Sequence, residues 1–136
     1  MDSLSGGRGR VAALPGSVVG TVDRLGRVKP RDLRDLVRFD DDEARTEVLF
    51  ESGRIWSELV CLQGAQGLGP IADGDADAIV SVLAGEVAVQ VGKGRARMRQ
   101  WHAVLVPAGT ELTIRNASEE PAVVQITTAP PPTGGV

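Results

Sequence analysis

The sequence predicts an all-β domain, a barrel or sandwich of seven or eight short strands. Three observations carry that reading. Glycine and proline are abundant, 17 and 8 in 136 residues, which means many turns and short elements. Val87, Val89 and Val91 alternate with Ala88 and Gln90, the period-two pattern of a half-buried strand. Further β-prone runs recur at regular spacing between glycine turns, and the βαβ alternation of a parallel sheet is absent.

The length fits one domain, and 42% hydrophobic residues make it globular. Aromatic residues are scarce: Trp56, Trp101, Phe39 and Phe50, with no tyrosine. The core is therefore expected to be Val, Leu, Ile and Ala. Residues 1–28 read as a flexible basic arm, 29–128 as the barrel and 129–136 as a disordered Pro/Gly tail. Within the arm, Ser17 to Val22 is a β-prone run and the candidate for a strand swapped between subunits. Pro30 opens an expected short helix to Phe39, with Leu33, Leu36 and Val37 at helical spacing. Asp40-Asp41-Asp42-Glu43 reads as a solvated acidic turn.

The strands follow. Thr46 to Phe50 and Arg54 to Leu62 flank Ser52-Gly53, a hairpin signal. Gln63 to Pro70, with three glycines, reads as a loop. Ala78 to Leu83 and Glu86 to Val91 turn about Ala84-Gly85, and Gly92-Lys93-Gly94 leads into Arg95 to Arg99. His102 to Val106 and Glu111 to Arg115 lie either side of Pro107-Ala108-Gly109, and Ala122 to Thr128 is the last strand.

Charge is unevenly spread. Residues 1–38 hold eight Arg/Lys against four Asp/Glu, and the rest holds seven against fourteen. The basic arm could dock on an acidic surface of a partner subunit. It has no interleaved aromatics, so nucleic acid is not an expected partner. Met1 to Arg10 has no apolar segment of signal-peptide length, and no stretch approaches the ~20 apolar residues of a membrane span. No membrane association is expected. The single cysteine, Cys61, sits in the apolar run Leu59-Val60-Cys61-Leu62 and reads as a buried inert thiol in a cytoplasmic protein.

The stretch from Leu68 to Asn116 resembles the two motifs of the cupin superfamily. In that family the first motif reads G-x(5)-H-x-H-x(3,4)-E-x(6)-G and the second G-x(5)-P-x-G-x(2)-H-x(3)-N. Residues 69–87 here read Gly-Pro-Ile-Ala-Asp-Gly-Asp-Ala-Asp-Ala-Ile-Val-Ser-Val-Leu-Ala-Gly-Glu-Val. Residues 101–116 read Trp-His-Ala-Val-Leu-Val-Pro-Ala-Gly-Thr-Glu-Leu-Thr-Ile-Arg-Asn. Gly85 matches the closing glycine of the first motif, and Pro107, Gly109 and Asn116 match the second. The resemblance implies a double-stranded β-helix, or jelly-roll barrel, following the short N-terminal helix.

The metal-binding positions of the pattern are replaced. Counting back from Gly85 puts the glutamate at Ala78. The four-residue spacing puts the histidines at Ile71 and Asp73, the three-residue spacing at Ala72 and Gly74. The second-motif histidine falls at Leu112, and its leading glycine at Trp101. A cupin metal needs about four imidazole or carboxylate ligands. Ile71, Ala78 and Leu112 have no donor atom, so neither a metal site nor a cofactor is expected.

His102 is the only histidine and lies outside the metal cluster by alignment. One imidazole without a positioned partner is not a catalytic unit. Asp73-Gly74-Asp75-Ala76-Asp77 resembles a calcium loop, but the sixth and twelfth places hold Ala78 and Ala84 instead of glycine and glutamate. Arg95, Arg97 and Arg99 form a one-sided row suited either to anions or simply to a soluble face. Metal-independent cupin isomerases and epimerases are implied to need His, Lys or Tyr in the barrel. This chain has no tyrosine and only two lysines, Lys29 and Lys93, neither at an expected cavity position.

The sequence therefore points to a non-catalytic cupin-type domain, acting as a small-ligand-binding or structural and regulatory homodimer. Its expected pocket is lined by Trp56, Ile71, Asp73, Ala78 and Leu112 and takes a small apolar ligand. The alternative is a degenerate metal-independent isomerase or a weak metal binder through Asp73.

Overall fold

The structure, a computed structural model, describes residues 21–132. It contains nine strands: β1 (Arg45–Glu51), β2 (Trp56–Leu62), β3 (Gly67–Ile71), β4 (Asp77–Ala84), β5 (Glu86–Val91), β6 (Gly94–Arg99), β7 (Ala103–Val106), β8 (Leu112–Arg115) and β9 (Ala122–Ala129). Two antiparallel sheets form, one of order β1-β2-β9-β4-β7 and one of order β3-β8-β5-β6. Most neighbours within each sheet are distant in sequence, the jelly-roll arrangement expected of the resemblance.

The core lies between the sheets. Val60, Leu62, Val80, Val82, Val124 and Ile126 from one meet Val87, Val89, Met98, Leu112 and Ile114 from the other. β5 is the clearest case of sequence dictating placement: Val87 and Val89 are buried while Ala88 and Gln90 are half-exposed.

One tight turn and one buried side chain fix the frame. Gly85 has φ +78°, and a Cβ there would come within 2.5 Å of the Pro121 carbonyl oxygen and 2.8 Å of Ala122 Cα. Only glycine combines that backbone with that approach. Asn116 is fully buried, and its Nδ2 donates to the Leu62 and Glu120 carbonyls at 3.1 and 2.7 Å.

The expected helix from Pro30 to Phe39 is not formed. A single 3-10 turn, Leu33–Leu36, takes its place. Asp32 caps it through the Arg34 amide, and Val37 is already extended. So short an α-helix has little stability of its own. Packing decides instead: Leu33, Leu36 and Val37 cover Leu59, Cys61 and Val123 on the outer face of the five-stranded sheet. Arg31 pins this cover by donating from Nη1 to the Leu49 carbonyl at 2.6 Å, with its guanidinium 5.8 Å from the Phe50 ring centre.

The Gln63–Pro70 region also differs from expectation, because its second half is β3. The run Ser17–Val22 lies outside the described residues except for Thr21 and Val22, and Val22 forms an isolated bridge with Val28. Of the expected tail, Ala129 still belongs to β9, and residues 133–136 lie outside the described range. Among the described residues no helix is long and apolar enough to cross a membrane.

Candidate functional site

A cleft of about 500 Å³ opens at one end of the barrel, between the two sheets. Ile71, Ala78, Val106, Leu112 and Ile126 supply its apolar wall; Thr110 and Thr128 add hydroxyls; Glu58, Asp73 and Asp75 add carboxylates. Every charged residue on the lining is thus acidic.

Strand register explains how these side chains meet. Ile71 at the end of β3 lies opposite Leu112 at the start of β8. Ala78 on β4 lies opposite Thr128 of β9 on one side and Val106 of β7 on the other. Glu58 points inward with Val60 and Leu62, two and four residues further along β2. It is 4% exposed, and Trp56 Nε1 donates to its Oε2 at 3.3 Å.

The rim is two turns bonded together. Gly109 donates its amide to the Asp73 carbonyl at 2.8 Å, and Ala108 donates its amide to Asp77 Oδ1 at 2.8 Å. Asp73 Oδ1 in turn accepts the Asp75 amide at 2.8 Å. Two of the three aspartates in the calcium-like run are therefore engaged in shaping the loop. Gly109, at φ +81°, completes the turn after Pro107.

Of the five residues expected to line a pocket, Ile71, Asp73, Ala78 and Leu112 come together on this cleft. Trp56 does not line it. It is 5% exposed, donates a hydrogen bond to Glu58 of the lining and lies opposite Thr128 across β2 and β9. Sequence reasoning missed Glu58, Thr110 and Thr128. The signal for Glu58 was available, since counting by twos back from Leu62 and Val60 places it on the inward face.

The family's metal does not fit this donor set. Three of its four ligand positions hold Ile71, Ala78 and Leu112, which cannot coordinate. Among the described residues no three His, Cys, Asp or Glu side chains converge to hold an ion.

The remaining candidates have local roles. His102 is exposed, and its Nδ1 accepts the Arg99 amide at 3.0 Å, closing the β6–β7 turn. Arg97 pairs with Glu86 at 2.9 Å, both partly exposed. Cys61 is 1% exposed, and burial pushes its thiol above the ordinary range. Gln66 Nε2 donates to the Asp40 carbonyl at 2.7 Å, tying the acidic turn to the β2–β3 loop.

No protein-family model and no curated protein matches the chain. Solved structures do. The TT1209 protein of Thermus thermophilus is 31% identical, with TM-score 0.72 over 74% of this chain and 96% of that one. An uncharacterised conserved protein with a double-stranded β-helix domain from Klebsiella pneumoniae is 17% identical, with TM-score 0.70 over 74% and 89%. An RmlC-like cupin from Desulfovibrio desulfuricans is 23% identical, with TM-score 0.66 over 76% and 98%. With the nine strands arranged as two facing jelly-roll sheets, the chain has the fold of these double-stranded β-helix and cupin structures.

Proposed function

We propose that this chain is a ligand-binding cupin that works without a bound metal, its ligand occupying the cleft at the old metal position. One observation carries the reading: replacing donors by Ile71, Ala78 and Leu112 leaves a cleft of about 500 Å³. That volume lies within the ~300–1,000 Å³ of small-molecule sites. The walls call for an apolar body. The polar groups, carboxylates and hydroxyls, call for a ligand that brings hydrogen-bond donors or positive charge. The isomerase alternative gains no support from the lining, which contains no His, Lys or Tyr to act as a base-and-acid pair.

Native mass spectrometry of the untagged protein, purified without chelator, tests this. The expected result is a small organic adduct on the wild type that is lost in Ala78→Phe, whose ring would fill the cleft. A stoichiometric metal ion on the wild type, or an adduct equally abundant on Ala78→Phe, would overturn it.

A further inference from the structure

The two walls of the cleft differ in chemistry. On one sheet, Ile71 of β3 and Leu112 of β8 bring only hydrocarbon side chains to the lining. On the other, Glu58 of β2 and Thr128 of β9 bring oxygen atoms. Trp56 lies opposite Thr128 and Glu58 opposite Ile126, so Glu58 and Thr128 are diagonal neighbours on one inward face. Across the other edge of β9, Ala78 lies opposite Thr128. Its side chain is a single methyl, which leaves room beside the Thr128 hydroxyl.

Thr128 is itself a sign of a ligand. Val124 and Ile126, four and two residues before it on β9, belong to the core, and the same alternation turns Thr128 inward. It is 8% exposed, yet its hydroxyl makes no hydrogen bond among the described residues. A buried hydroxyl without a partner is unfavourable, and valine would fill the same shape without that penalty. A polar atom bound in the cleft gives the hydroxyl its partner.

Charge selects what that atom belongs to. Glu58 is 4% exposed, with Trp56 Nε1 donating to its Oε2 at 3.3 Å. Asp73 and Asp75 also line the cleft, and among the described residues no Lys, Arg or His does. The low-dielectric walls focus this negative field inward. An anionic ligand is repelled by it, and a neutral one gains little. An ammonium group carries positive charge and three N–H donors in one small head. One N–H reaches the Glu58 carboxylate and another the Thr128 oxygen, while Ile71, Leu112 and Ile126 cover the hydrocarbon behind it.

We propose that the cleft takes a primary ammonium carried on a compact hydrocarbon body, with Glu58 as counter-charge and Thr128 as a second hydrogen-bond acceptor. This rests on the cleft being the ligand site. Isothermal titration calorimetry on the full chain tests it with three probes that share one ring: cyclohexylmethylamine, cyclohexylmethanol and cyclohexanecarboxylate. The amine is expected to bind at least about tenfold more tightly than the other two, and about tenfold more weakly to Glu58→Gln and to Thr128→Val than to the wild type. Thr128→Val is expected to keep or raise the thermal midpoint, which separates lost binding from lost folding. Alcohol or carboxylate binding as tightly as the amine, and abolished by Ala78→Phe, would overturn the ammonium assignment while leaving the ligand cleft in place. Amine binding that survives both Glu58→Gln and Thr128→Val, or Ala78→Phe, would overturn it as well. If no probe binds, the ammonium assignment falls alone, and the cleft as a ligand site is decided by the adduct in the native mass spectrum.

Discussion

Asn116 and Leu62 are joined by a 3.1 Å hydrogen bond from Nδ2 to the carbonyl, and it locks the end of β8 to the end of β2. The same nitrogen donates to the Glu120 carbonyl, and Asn116 Oδ1 accepts both the amide and the hydroxyl of Ser118. Asn116→Ala strands two carbonyls and two donors at a buried site, a loss of about 3 kcal/mol. Asn116→Asp is expected to be worse, because a carboxylate would face the same two carbonyls. Urea denaturation of the three proteins side by side checks the order. An Asp variant as stable as the wild type would show that the donor side of this network is unimportant.

Gly85 and Gly109 have nearly the same left-handed φ, +78° and +81°, but different surroundings. At Gly109 an added Cβ meets nothing within 4 Å. Gly109→Ala should therefore lose only the backbone term of about 1 kcal/mol. Gly85→Ala adds a collision with Pro121 and Ala122 and should lose at least about 2 kcal/mol, because backbone must move. Thermal midpoints that fall equally for the two variants would contradict this distinction.

Cys61 predicts an alkaline limit to stability. Burial raises its folded pKa above the ordinary 9.0, so the folded state keeps the thiol proton where the unfolded state gives it up. The contribution is fully present below pH 9.0 and is lost as pH rises past that value, with a slope of at most about 1.4 kcal/mol per pH unit. Cys61→Ala should lower stability overall yet flatten that alkaline slope. The wild-type thiol should also react with an aromatic disulfide reagent only after denaturant is added. Rapid labelling of the native protein at pH 8 would count against a buried, inert Cys61.

The sequence made legible what depends on local geometry. The alternation in β5, the glycine at 85, the Pro107–Gly109 turn and Asn116 each carry their structural role in their own chemistry. β3 was hidden because Gly67-Leu68-Gly69-Pro70 reads as a turn, and only pairing with β8 makes it a strand. Gly67 itself is explained by that pairing, since a Cβ there would lie 2.8 Å from the Ile114 carbonyl oxygen. The helix at 30–39 failed for the opposite reason: its apolar spacing is real, but three contacts on the sheet's outer face serve it better than a helical ladder. In the site, the motif positions located Ile71, Asp73, Ala78 and Leu112, whereas Trp56 and Glu58 needed the register of β2 to tell wall from support.

The replaced ligand positions can be tested by putting donors back. Ile71 and Leu112 are cross-strand partners, Ala78 lies on the facing sheet, and Asp73 sits on the rim above them. The variant Ile71→His, Asp73→His, Ala78→Glu, Leu112→His therefore gathers three imidazoles and a carboxylate at one end of the barrel, a set suited to divalent transition metals. The substitution at Asp73 gives up its bond from the Asp75 amide, about 1 kcal/mol, but leaves the main-chain bond to Gly109 intact. The fourfold variant is expected to bind one Co(II) per chain with visible d–d absorption, while the wild type gives no such band. The ion should also raise the variant's thermal midpoint, since it binds only the folded state. If the variant folds but shows no saturable one-to-one binding, these four positions do not converge as the register requires. If the wild type itself takes up the ion stoichiometrically, the cleft's carboxylates hold metal after all, and the ligand-binding proposal falls with it.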